Sequence, residues 1–471
     1  MNKSMANAMA SRSTRRGVFG GAAKLGLGVG GASLLTASQW RFNALAQDPT
    51  EISMMGWGSP LEKENVDKGL QLFEEHNPDI TVEWIHIPDA ADQQVALKTA
   101  IAGGNAPDVF WSTPFRDFVA IGAAMDITEQ LMADPVLGAP DYFLQPQETE
   151  RDTVNGKWFG IGSCWVAPHI YYNADLLAEA GIDPPSPNPA EAWTFDEFRE
   201  YGRQLTFDSE GRHPGDAGFD VDNVTQWGVS WPTFYIALAG AIYSNGGYTW
   251  GTDYTTGYGS PESLQAIQAI ADLTNVDQIA PVPTVLEQMG MSDWQALANG
   301  NVAIIITGSW ALQDIAKLDF NFGCAVLPVF QEPATVMLAH SHCISSTTEH
   351  PDEAWKLLAY LSSDEYQLGL IKVGLWLPSH TSLLTPEGIA SWMTPDVHPE
   401  GYDLIVTDYL KNYGHNLFYP AGFAEADSLI TSALDPVWIG EQTAEEALVA
   451  SGVLDEIEAH LQEQQALLAD I

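Results

Sequence analysis

Hydrophobic spacing divides the chain, from about residue 50 onward, into alternating strands and helices. Ile52 to Trp57 is a short apolar run ending in Trp-Gly-Ser, and the stretch that follows, to about Asn77, sets Val66, Leu70 and Phe73 at helical intervals. Asn77-Pro78-Asp79 reads as a turn, and Ile80 to Ile87 alternates as a strand. A helix from about Ala91 to Ala102 stops at Gly103-Gly104, and Pro107 to Trp111 is the third strand. Strand, helix, strand, helix, strand predicts a parallel sheet. Ligands on such sheets bind beyond the carboxyl ends of the strands, which is where Trp57-Gly58-Ser59 and Trp111-Ser112 fall.

The same alternation continues. An Asn155-Gly156 turn precedes a strand, an aromatic-bearing bend at Trp165, a second strand at Ile170 to Tyr172 and a helix stopped by Gly181. Val302 to Thr307 is a fully apolar strand, and Gly308-Ser309-Trp310 opens the next helix. Asn321 to Pro328 is predicted as a strand, Pro351 to Leu361 as a helix with an acidic start, and about Thr443 to Leu467 as the last helix, behind a capping-box-like Thr443-Ala444-Glu445-Glu446. Pro184 to Pro189 and Asp208 to Asp222 read as surface loops, and no repeat period is present.

The first 46 residues differ in composition. They hold no Asp or Glu, Thr14-Arg15-Arg16-Gly17-Val18-Phe19 matches the twin-arginine pattern ahead of a weakly apolar, Gly-rich run, and Ala44-Leu45-Ala46 offers small residues for cleavage. An exported protein is expected, periplasmic or extracellular, tethered to the membrane only if this leader is retained. No Cys lies at the junction, which argues against a lipid anchor. All 62 acidic residues lie beyond the leader, whereas Lys3, Arg12, Arg15, Arg16, Lys24 and Arg41 of the 19 basic ones lie within it, so cleavage leaves a net charge of −49. That field excludes nucleic acid as a partner and disfavours anionic ligands. Such an acid coat also suits high salt or an acidic exterior. Cys164, Cys324 and Cys343 permit at most one internal bridge, with partners unassigned. The remaining length, about 425 residues, is more than a single core commonly holds.

Six segments together resemble the family 1 extracellular solute-binding proteins, the sugar receptors of ABC importers. Phe73-Glu74-Glu75-His76-Asn77-Pro78-Asp79-Ile80-Thr81-Val82 is similar to the family's first helix, turn and strand, and Ala102-Gly103-Gly104-Asn105-Ala106-Pro107-Asp108-Val109 to the turn before its third strand. The segment Asn155 to Asp183 resembles a hinge crossing, and Asn299-Gly300 through Gly308-Ser309-Trp310-Ala311-Leu312 resembles a segment that carries a sugar-stacking tryptophan. Ala354-Trp355-Lys356-Leu357-Leu358 and Gly374-Leu375-Trp376-Leu377-Pro378 match two later landmarks. The chain departs from the pattern at Ala339-His340-Ser341-His342-Cys343, where many relatives have a Gly-Gly loop. Metal binding there lacks a second cluster, and loop and strand roles are expected.

The resemblance implies a two-lobed α/β periplasmic-binding-protein-like fold, each lobe a mainly parallel sheet flanked by helices, with a three-segment hinge near Ser163 to Val166, Thr335 to Leu338 and Gly374 to Ser379. Lobe I would hold residues 47–164 and 336–376, lobe II residues 165–335 and 377–471. It further implies a monomer that binds a neutral saccharide or polyol without a cofactor and delivers it to the transmembrane subunits of an ABC permease. A receptor for a metal chelate, cation or glycerophosphodiester is the alternative.

A sugar ring offers an apolar face and a rim of hydroxyls, so its site needs flat side chains and short polar groups. Of the 16 tryptophans, Trp57, Trp111, Trp165, Trp231, Trp310 and Trp376 sit at strand ends or bends beside Gly, Ser or Pro. They are the candidate stacking surfaces, Trp310 foremost, with Cys164 beside Trp165. Ser59, Glu62 and Ser112 are candidate hydrogen-bonding partners, although Ser59 could simply cap a helix and Glu62 could be solvated. Tyr419 and Phe423 lie where the family brings a late loop over the cleft. Trp158, Trp193, Trp294, Trp355 and Trp438 are expected to be structural, as are Tyr171 and Tyr172. Catalysis is not expected: the pattern stops short of eight βα units, and no Gly-x-Ser-x-Gly, His-Glu-x-x-His or phosphate loop is present. A secreted glycoside hydrolase would need two carboxylates about 5 to 10 Å apart on a rigid frame.

Overall fold

A computed structural model describes residues 49–139, 156–282, 285, 286, 288 and 290–469, with residues 163, 164 and 340 described by backbone alone. The leader, Asn155 of the expected turn and the side chain of Cys164 lie outside the described residues.

Among the described residues, eleven strands form two sheets: β1 Thr50–Trp57, β2 Ile80–Ile87, β3 Val109–Trp111, β4 Gly160–Val166, β5 Pro168–Asn173, β6 Phe207–Asp208, β7 Val224–Ser230, β8 Val302–Gly308, β9 Phe322–Ala325, β10 Thr335–Ile344 and β11 Gly414–Asn416. The first sheet runs β11-β10-β3-β1-β2 with β4 also on β10, and the second runs β6-β7-β8-β5-β9. β1 pairs in parallel with β2 and β3, so Trp57, Ile87 and Trp111 end on one edge. β10 runs antiparallel to β3, pairing His342 with Trp111, and its earlier residues therefore extend past that edge.

Helix Pro60–His76 starts at Ser59, whose Oγ accepts the Glu62 N–H at 3.1 Å, with Pro60 at the first helical position. It buries Val66, Leu70 and Phe73, the stripe expected from spacing. Helix Ala90–Ala102 is capped by Asp89. These elements agree with the sequence pattern to within about two residues.

Three expectations are corrected. The second sheet is mixed, with β7 and β8 parallel but β5 antiparallel to both β8 and β9, and β6 antiparallel to β7. Apolar runs such as Val302 to Thr307 report burial on both faces, and burial carries no strand direction. The strand expected from Asn321 to Pro328 is limited to β9. The last helix is Val453–Leu468, preceded by Gly452 at φ 79° and a separate helical turn, Glu446–Ala450. No helix among the described residues is long and apolar enough to cross a membrane.

The chain passes between the sheets along adjacent paths. β4 leaves the first sheet and β5 enters the second after Ala167 alone. β10 lies beside β4, with Leu338 opposite Val166 and Ala339 opposite Trp165, and the register slips between Ala339 and Ser341. A third segment joins through a bridge between Trp165 and Leu377. The Thr335 hydroxyl donates to the Pro168 carbonyl at 2.8 Å, and the Ser309 N–H to Ala167 at 2.9 Å. β11, although late in the chain, pairs with the start of β10 rather than with the second sheet.

Candidate functional site

Between the two sheets lies a cavity of about 370 Å³. β1 supplies one wall, through Trp57, Gly58, Ser59 and Glu62, with Pro88 and Ala90 from the turn after β2 and Thr113 from beyond β3. The opposite wall follows the carboxyl ends of β7 and β8, with Tyr235 and Ile236 at one helix start and Trp310, Gln313 and Asp314 at the next, joined by Trp294. Val166, Leu338, Leu375 and Trp376 form the floor, one or two from each crossing segment. Carboxyl ends of strands from both sheets thus converge on one space.

Local sequence explains the wall residues. Gly308 ends β8 where a Cβ would run into the Trp310 ring, so the glycine lets the indole fold back over the strand end. Gln313 and Asp314 follow three and four residues later, the spacing that puts side chains on one helical face. At the first wall, a Cβ on Gly58 would meet the Glu62 carboxylate, and His86 Nε2 donates to the Gly58 carbonyl at 2.7 Å.

Glu62 is only 7 % exposed. Burial pushes its carboxyl up to about 8, against the lowering effects of the Ser59 cap and a hydrogen bond from the Trp376 indole. Its Oε1 is buried without a hydrogen-bond partner among the described residues. Burial also raises Asp314, partly offset by Lys317. No Lys or Arg lines the cavity among the described residues.

Of the candidate residues, Trp57, Ser59, Glu62, Trp310 and Trp376 meet at this cavity, and the other described candidates do not line it, the Cys164 side chain being outside the described residues. Trp111 lies beneath it, fully buried, with ring centroids 5.3 Å from Trp57, 5.5 Å from Trp84 and 6.4 Å from Trp376. Ser112 is buried, its hydroxyl 3.3 Å from Gln94 Oε1. Trp165 is buried in the floor, with only its neighbour Val166 lining the cavity. Trp231 packs edge-on to Phe195 and Phe198, its indole N–H donating to the Ala237 carbonyl at 3.1 Å, beside a separate cavity of about 300 Å³ that Trp438 also lines. Tyr419 and Phe423 are buried behind Tyr235, with ring centroids 6.0 and 5.2 Å from it.

Sequence reasoning passed over Tyr235, Gln313 and Asp314, and assigned Trp294 a structural role. Trp294 lies half-buried in helix Asp293–Ala298 and faces the cavity; its place on a short amphipathic helix does not reveal where that helix docks. Tyr235 and Asp314 carried a usable signal, since each stands at or near a helix start shortly after an apolar strand, as Trp310 does.

Comparison with known proteins agrees with this geometry. The chain is 25% identical over 308 residues to the maltodextrin-binding protein MdxE of Bacillus subtilis, covering 64% of this chain and 67% of the relative. It superposes on an ABC substrate-binding protein of Listeria monocytogenes, solved in complex with cycloalternan, with TM-score 0.74 and 23% identity over 89% of this chain and all of the other. A maltose/maltodextrin-binding domain from Bdellovibrio bacteriovorus bound to maltotriose gives TM-score 0.66 at 19% identity, covering 88% and 99% of the two chains. These likenesses give the fold, a two-lobed binding-protein architecture. Residues 53–368 match the family model for bacterial extracellular solute-binding proteins, and the chain belongs to that family of binding proteins rather than to a family of enzymes.

Proposed function

We propose that this protein is the receptor of an ABC importer for a saccharide or polyol without anionic groups, bound in the cavity between the sheets and handed to the transmembrane subunits of a permease. The observation that carries the reading is the lining: four indoles (Trp57, Trp294, Trp310 and Trp376), the Tyr235 phenol, two carboxylates and Gln313, with no basic side chain among the described residues. Flat rings suit the apolar faces of a sugar, and carboxylates accept from its hydroxyls. The sugars named for the structural relatives point to the same class. Hinge segments near 163–166, 335–338 and 374–379 would divide lobe I (47–164 and 336–376) from lobe II (165–335 and 377–471), and a ligand touching both walls would favour the closed arrangement. The protein would work as a monomer, exported by the twin-arginine route, and without catalysis.

A thermal-shift screen of the purified protein against mono-, di- and oligosaccharides, polyols, phosphodiesters and metal chelates tests this reading. Stabilisation by saccharides or polyols is expected, with the ligand recovered unhydrolysed. Stabilisation only by a chelate or an anion, or sustained release of reducing ends, overturns it.

A further inference from the structure

Taking the saccharide reading of the cleft as given, we propose that the ligand carries a protonated amine, and that Glu62 on one wall and Asp314 on the other form the seat for that cation.

One buried polar atom of a cavity-lining side chain lacks a hydrogen-bond partner among the described residues. A buried carboxylate oxygen without a hydrogen bond is costly, and proteins retain such groups chiefly where something else completes them. Glu62 Oε1 is such an atom, on a side chain that lines the cavity. The position is held from three sides: the carboxylate packs against Gly58, where no side chain fits, the Trp376 indole donates to it, and the Ser59 cap fixes the first turn that carries it. A solvated surface glutamate needs none of this.

The surroundings select the sign of the partner. Titratable and charged groups near Glu62 include His86, whose imidazole bonds the Gly58 carbonyl, Asp314 across the cavity, Lys63, which pairs with Asp67, and Glu64, which pairs with Lys68. Two carboxyl groups therefore line one space that no basic side chain lines among the described residues. Burial raises both carboxyl groups above their ordinary values. A hydroxyl can accept from or donate to such groups, whereas a cation seated between them would also favour the ionised form of each. An ammonium offers three donors and one positive charge, and charge-assisted hydrogen bonds are roughly twice as strong as neutral ones. The surrounding Trp57, Trp310 and Trp376 rings favour a cation as well, since indole is the best aromatic face for one. The net charge of −43 would concentrate a cationic solute near the protein and repel an anionic one.

The test is calorimetric titration of the purified protein at pH 7 with glucosamine and its β-1,4-linked dimer, against the same sugars with a hydroxyl or an N-acetyl group in place of the amine. The amine forms should bind at least about tenfold tighter, and Glu62→Gln should cut that preference to within about threefold while changing hydroxyl-sugar affinity much less. Asp314→Asn, on a less buried side chain, should reduce the preference in the same direction and serves if Glu62→Gln does not fold. Equal or tighter binding of the hydroxyl forms, or a preference that survives both substitutions, overturns the proposal while leaving a saccharide receptor intact. Binding of no saccharide of any kind, alongside binding of another solute class, overturns both readings.

Discussion

Leu377 donates its backbone N–H to the Trp165 carbonyl at 2.9 Å, which joins the first and third crossing segments directly. The second lies on the other side, since Ala339 faces Trp165 along β10. Trp165 therefore lies between the two other segments, with its ring buried.

On the proposed three-segment hinge, a ligand that touches both walls would draw them together. Small-angle scattering should show the radius of gyration falling when a saturating ligand identified by thermal shift is added. An unchanged profile with binding proven by calorimetry would count against a mobile cleft.

Trp310 and Trp111 should respond in opposite ways to truncation. Trp310→Ala removes a cavity wall, and loss of one well-packed aromatic contact is worth on the order of 2 kcal/mol or more, roughly thirtyfold in affinity. Ligand-free melting should hardly move. Trp111→Ala empties space beneath Trp57, Trp84 and Trp376 and should cost about 3 to 5 kcal/mol of stability. Titration and melting of both variants decide whether each indole has been assigned correctly.

Glu62 should leave a signature in the pH dependence of ligand-free stability. Its folded carboxyl titrates near 8 and an unfolded one near 4.5, so between those values the native state holds a proton that the unfolded chain has lost. Stability from this group therefore falls as pH rises from about 4.5 to about 8 and levels off above. In Glu62→Gln that slope should vanish, so that the melting temperature of the variant gains on the wild type across the window. A constant difference between the two would assign the titration elsewhere.

The acidic coat gives a fourth expectation. With 62 acidic residues against 19 basic ones, self-repulsion destabilises the folded state, and added NaCl screens it within about 10 Å at 0.1 M. Melting temperature should rise through a NaCl titration. A flat or falling curve would show that repulsion is already relieved by local pairing.

The first strand-helix-strand units were legible because apolar positions repeat at fixed intervals, and β1, β2 and the two helices around them follow directly. Cleft residues were most legible where a strand end coincided with a close turn, as at Trp57 and Trp310. Trp111 presents the same local pattern as Trp57. It points beneath its neighbours because Gly56 leaves room for its ring there, a contact between two strands that no single segment encodes. Trp231 likewise directly follows a strand but is drawn into the aromatic cluster of Phe195 and Phe198, and the four-residue connection it opens lets Tyr235 take the wall instead. Strand direction in the second sheet was hidden for a similar reason, since β5 inserts between β8 and β9 from a distant part of the chain.

The position of β10 also governs how the molecule must be made. β3 has β1 on one side and β10 on the other, and β10 begins at Thr335, long after β3 ends at Trp111. A nascent chain synthesised through β8 has therefore completed β1 to β3 but leaves one edge of β3 bare, an open template for unwanted pairing. The first sheet cannot close until most of the polypeptide has left the ribosome, and β11 arrives later still. Assembly is thus a late, non-local event, slow by the measure of sequence separation, and premature truncation anywhere before Ile344 should yield an aggregating fragment rather than a folded first lobe.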